Sequence, residues 1–194
     1  MKIRDQFSLF LLITHSHDIA RRYFVVNGFD GALTMLGIII GFYHIGDSSI
    51  PVVISACMGA AIALGMSGIS SAYLSEVAER KKELKELEDA MVTDLGDSAH
   101  GQAARIIPIT IAIVNGMAPF IICLIIIAPL WLPSLATHIP LQPLEMSIIV
   151  ALVVIFLLGV FIGRVSGHFW FLSGIRALLI ALLTGAIILL LTPG

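Results

Sequence analysis

The stretch VVNGFDGALTMLGIIIGFY, residues 25–43, decides how this chain is read. Its residues are apolar or small, as a helix crossing a bilayer requires, but Asp30 stands among them, about 8 residues past the Arg21–Arg22 pair. On insertion scales an acidic residue near the centre of a spanning helix costs roughly 2.5–3.5 kcal/mol. A residue kept at that cost marks an ion path, a proton relay or a buried ion pair.

Composition sets the frame around it. Of 194 residues, 58% are hydrophobic and 12% charged, against about 25% charged in a soluble domain. An integral membrane protein follows, with the lipid bilayer as its first partner and room for one compact bundle. The net charge of −2 points to no polyanionic partner. Nucleic-acid binding is not expected, because the few basic residues flank apolar runs. The first 24 residues do not read as a signal peptide, since FSLFLLI is short and His15, His17, Asp18, Arg21 and Arg22 follow it without a small-residue cleavage site. Residues 1–22 read instead as an amphipathic segment lying along the membrane surface. Cys57 and Cys123 fall inside apolar runs, which suits buried thiols, with soft-metal ligation as the alternative.

Five runs are long enough to cross a membrane, roughly 23–45, 50–74, 106–131, 146–166 and 170–192, and none shows strand-like alternation. The expected fold is therefore all-α, a bundle of five transmembrane helices. Its parts are helices one and two over 23–75, a short acidic cytoplasmic segment over 76–105, and helices three to five over 106–194. With five spans all 11 Lys and Arg residues, from Lys2 to Arg176, fall on one side, and the opposite loops carry Asp47 and Glu145. The positive-inside rule then places the N-terminus in the cytoplasm and the C-terminus outside. The expected location is a multi-pass one, in the cell membrane if the source is prokaryotic.

The first span carries a stripe. Asn27, Asp30, Thr34, Gly37 and Gly41 follow at steps of three and four, one helix face. Gly37 and Gly41 form a GxxxG pair that lets another helix approach, so they are candidate dimer-interface residues. At about 1.5 Å per residue Asp30 lies roughly 12 Å from Arg22 along the axis. Two readings stay open: a site for a cation or protons, and a structural carboxylate paired with Arg164 or Arg176. Met66 and Ser70 near the end of the second span, and Asn115 in the third, add a thioether and polar groups to a possible path. Packing is the plainer use of Met66, bonds to helix carbonyls that of Ser70, and helix-packing hydrogen bonds that of Asn27 and Thr34. Pro108, Pro119 and Pro129 predict a kinked third helix.

Beyond the second span the helix is expected to continue as EVAERKKELKELEDAM. Glu76, Glu79, Glu83 and Glu86 share one face there, and such a set of carboxylates suits a hard or borderline divalent cation. The alternative is a solvated helix laced with pairs such as Glu76 with Arg80 and Lys85 with Asp89. No nucleophile–base arrangement, phosphate loop or closed zinc motif is visible, so no enzyme activity and no tightly bound cofactor are expected.

Four passages in order, ARRYFVVNGFDGALTMLGIIIGFY, SSAYLSEVAERKKE, NGMAPFIICLIIIAPLWLP and LLGVFIGRVSGHFWFLSGIRALLIALLTGAIILLL, resemble the vacuolar iron transporter family and its prokaryotic iron/manganese members. The resemblance covers nearly the whole chain. It implies a homodimer with a cation path between subunits, exchange of Fe(II) or Mn(II) for protons, and Asp30 in the path. Where the family carries Met and Glu near the end of its second span, this sequence has Gly68 and Ala72, with Met66 two residues from the expected Met. The family's larger cytoplasmic domain is reduced here to residues 76–105, with the four glutamates as a remnant and Met91 as its methionine. The expected function is proton-coupled antiport of Fe(II) or Mn(II), metal being cargo. The same fold with a different cargo, or a membrane scaffold without transport, are the alternatives.

Overall fold

The computed structural model describes residues 16–46, 49–96, 98–131, 141–167 and 169–192. These form helices α1 (Ser16–Ile45), α2 (Ile50–Met91), α3 (Ala99–Trp131), α4 (Pro143–Val165) and α5 (Trp170–Leu191), with no strand among the described residues. Each helix is long and apolar enough to cross a membrane, so the chain has the make-up of a multi-pass integral membrane protein. Most of the expected interfacial segment, residues 1–15, lies outside the described residues, as do His15, Asp47, Asp97, His138 and His168. Residues 16–22 are continuous with α1.

Helix bounds depart from the apolar runs in one informative place. α2 is 42 residues long, about 63 Å at 1.5 Å per residue, against a hydrocarbon core of about 30 Å. Its charged half must therefore extend beyond the core, as EVAERKKELKELEDAM predicts. The segment 76–105 is no separate module. It is the end of α2, a turn, and the start of α3. In that turn Val92 takes φ 50, a left-handed conformation, and the Glu88 carboxylate accepts from the Leu95 N–H at 2.9 Å. The Ser98 hydroxyl accepts from the N–H groups of His100 and Gly101 at 3.2 and 3.3 Å, capping α3. Pro108, Pro119 and Pro129 all lie inside α3, which is helical without interruption from Ala99 to Trp131.

The chain divides into two compact units. One comprises Met1–Phe24, whose described part begins at Ser16, with Gly65–Met117. Its small core consists of Ala72, Ala103, Ile107, Ile111 and Ala112, flanked by Ile19, Tyr23 and Ile69. α2 and α3 approach closely here. A Cβ on Gly116 would run into Ile69 and lie 2.5 Å from the Gly65 carbonyl oxygen, so only glycine fits.

The second unit comprises Val25–Leu64 and Ala118–Gly194. Its core draws on all five helices, with Met35, Leu36 and Ile39 of α1 and Ile126 and Ile127 of α3 among its most buried members. Small residues bring α4 and α5 together. Gly174, Ala177, Ala181 and Gly185 form the buried face of α5, and a Cβ on Gly159 would stand 2.6 Å from that of Ala177. The Tyr43 hydroxyl donates to Glu145 at 3.0 Å, while the same carboxylate accepts from the Gln142 N–H at 2.9 Å. The end of α1 and the start of α4 therefore meet, as the two crossings between them, α2 and α3, require. Cys57 and Cys123 are free and buried.

Candidate functional site

In the second unit Asp30 is exposed on α1, within the apolar helix. Among the described residues it forms no ion pair, with Arg164 and Arg176 or with any other cation. Arg164 instead lies over the Trp170 ring, 5.6 Å from its centroid. The structural alternative for Asp30, a carboxylate held by one of these arginines, is therefore not what a single chain forms. Thr34 is turned to its own helix, its hydroxyl donating to the Asp30 main-chain carbonyl at 2.7 Å. Asn27 is half-buried.

The glycines of the same stripe differ. A Cβ on Gly37 would meet the tip of Ile188 at 3.2 Å, so α5 of the same chain already covers part of it. Nothing lies within 4 Å of a Cβ on Gly41. Of the two candidate contact residues, Gly41 is the one a second helix could reach.

In the first unit Met66 is 57% exposed and Ser70 is also exposed; four residues apart, they share a face of α2. Asn115 is 2% exposed. Its side-chain amide donates to the Gly68 carbonyl at 2.7 Å, a tie between α3 and α2. That bond gives Asn115 a part in helix packing, beyond the polar group that its sequence offers.

The four glutamates do not gather. Glu76 and Arg80 are buried, at 7% and 8% exposure. The Arg80 guanidinium lies 3.6 Å from Glu76 Oε2 and 2.7 Å from Glu83 Oε2. Glu79 is exposed, and Glu86 is paired at 3.8 Å with Lys82 on the surface. Of the expected pairs, Glu76–Arg80 forms, and the lysine pair seen is Lys82–Glu86 rather than Lys85–Asp89. Among the described residues no three His, Cys, Asp or Glu side chains of one chain converge on a common point. A cation could be held here only after Arg80 leaves, or by carboxylates from more than one copy.

Sequence reasoning did not single out Arg80 as a clasp or Gly68 as an acceptor. For Arg80 the signal was present, since Glu76, Arg80 and Glu83 lie at steps of four and three on one face. For Gly68 there was none, because a main-chain carbonyl has no signature in a sequence.

Fold and site together define a multi-pass membrane protein with an exposed carboxylate inside a spanning helix. The chain is similar to an uncharacterized protein of Methanocaldococcus jannaschii, MJ0645, with 29% identity over 170 residues, covering 86% of this chain and 85% of that protein. No family model matches the chain, and no solved structure matches it.

Proposed function

We propose that the protein is a homodimeric transporter of divalent transition-metal ions, Fe(II) or Mn(II), working by proton antiport along a path at the dimer interface. The observation that carries this reading is Asp30, a carboxylate exposed on an apolar helix with no ion pair among the described residues. An intramembrane carboxylate in contact with lipid is costly, so it calls for a proton, a cation or a covering partner. Two copies of Asp30 facing each other would carry two negative charges, matching either one divalent ion or two protons. In this reading Gly41 lets the two α1 helices approach. The N-terminus is cytoplasmic, and the glutamates at the end of α2 collect cations at the inner mouth.

A second reading keeps the transporter and changes its cargo. It is favoured by Gly68 and Ala72 at the places where the resembling family has Met and Glu, and by the clasp of Arg80 on Glu76 and Glu83. Fe(II) and Mn(II) flux into proteoliposomes under an imposed pH gradient separates the two. Gradient-dependent flux that vanishes in Asp30→Ala and Asp30→Asn supports the first. Flux that survives both substitutions removes Asp30 from the path. No flux of either metal by the unsubstituted protein rejects the metal cargo.

A further inference from the structure

The turn between α4 and α5 opens onto a groove of about 340 Å³ that the transport reading leaves unused. Phe29, Gly159, Ile162 and Ile180 are among its lining residues, and its wall is almost entirely carbon. The polar residues in the lining are Ser166, Ser173 and Arg176. No carboxylate of the described residues pairs with Arg176. A cationic edge on an apolar groove is the complement of an amphiphile with an anionic head.

Three further observations set the depth of this groove in the membrane. Phe169, Trp170 and Phe171 are all exposed at the turn, an aromatic cluster of the kind that sits at headgroup level. Arg164 rests on Trp170 at the same turn, adding a second positive charge. Arg176 is six residues into α5, about 9 Å below Trp170 along the axis. Helical side chains lean toward the N-terminal end, so Arg176 leans toward the turn, and its length lets it snorkel to the interface. Gly159 and Gly163 let α5 pack directly on α4, and the apolar groove runs alongside that contact, past Ile162 and Ile180.

We propose that this groove is a binding site for one anionic phospholipid, with an acyl chain along Phe29, Ile162 and Ile180 and the phosphate held by Arg176 with Ser166 and Ser173. A basic recess between spanning helices at headgroup level is the usual geometry for such a lipid. The site requires only that the helices span a bilayer, and is independent of what the protein transports.

The test uses the full chain, purified in a mild detergent and examined by native mass spectrometry with added dioleoyl phosphatidylglycerol or dioleoyl phosphatidylcholine. One phosphatidylglycerol is expected to be held about fivefold more tightly than phosphatidylcholine, whose choline cation offsets its phosphate, the effect of one arginine on a net negative headgroup. Arg176→Gln should bring that ratio close to one, Arg176→Lys should keep most of it, and Ile180→Trp should weaken both lipids alike by filling the groove. Millimolar inorganic phosphate should leave the bound phosphatidylglycerol in place; its displacement would show a plain anion site and overturn the proposal. Equal retention of both lipids, or a preference that survives both Arg176→Gln and Ile180→Trp, overturns it as well. Should Arg176→Gln not fold, Ile180→Trp alone decides: unchanged lipid retention rejects the groove.

Discussion

The side-chain amide of Asn115 donates to the main-chain carbonyl of Gly68 across 2.7 Å, and both helices are close enough at this point that a Cβ on Gly68 would lie 3.1 Å from the Asn115 carbonyl oxygen. The bond and the close approach depend on each other. Asn115→Ala should lower stability by about 1 kcal/mol, the scale of a side-chain hydrogen bond between membrane helices. Gly116→Ala should cost more, about 1–3 kcal/mol, because its new methyl group meets the Gly65 carbonyl at 2.5 Å and a backbone cannot turn aside as a side chain can. Thermal unfolding of the two variants in detergent should place Gly116→Ala below Asn115→Ala, and the reverse order would contradict the packing described.

Arg80 holds two carboxylates, one of them buried. Arg80→Met should destabilise by about 3 kcal/mol, the lower end of the cost of breaking a buried pair, since it strands Glu76 and the 3.6 Å separation is long. Adding Glu76→Gln should restore most of the loss, because no buried charge then remains. A double-mutant cycle measured by denaturation reads this directly, and simple additivity would show that Glu76 and Arg80 do not interact.

Glycine matters at some helix positions and not at others, and the structure says which. Gly159→Ala should cost about 1–3 kcal/mol, since its methyl group would press on Ala177 and on the Ser173 carbonyl oxygen at 2.8 Å. Gly59→Ala, where nothing lies within 4 Å, should be neutral or stabilise by up to about 1 kcal/mol through helix propensity. Melting temperatures of the pair provide the comparison.

Under the proposed dimer, Gly41→Cys should crosslink between two chains in membranes under mild oxidation, while Gly37→Cys should crosslink poorly because Ile188 covers it. Cys57 and Cys123 are buried and should not compete. Gel mobility without reductant reads the result. Equal crosslinking at both positions, or none at Gly41→Cys, would exclude this face of α1 as the contact.

Val92 ends α2 in a left-handed conformation at 90% exposure. A β-branched residue is disfavoured there, so Val92→Gly should stabilise by about 1 kcal/mol, seen as a higher melting temperature. Val92→Pro, whose ring cannot reach positive φ, should do the opposite.

The spans were legible in the sequence because bilayer insertion depends on the length and apolarity of a continuous segment, both local properties. The five runs and the continuation of the second helix through EVAERKKELKELEDAM needed no tertiary information. The stripe of Asn27, Asp30, Thr34, Gly37 and Gly41 was equally readable, since helical periodicity alone puts them on one face. What the stripe meets was not. Tertiary packing laid Ile188 against Gly37, left Gly41 open, kept Arg164 and Arg176 from pairing with Asp30, and buried the local pair of Glu76 and Arg80. Those outcomes depend on which helices become neighbours and how closely small residues let them approach. Periodicity assigns a residue to a face, and only packing decides what stands opposite.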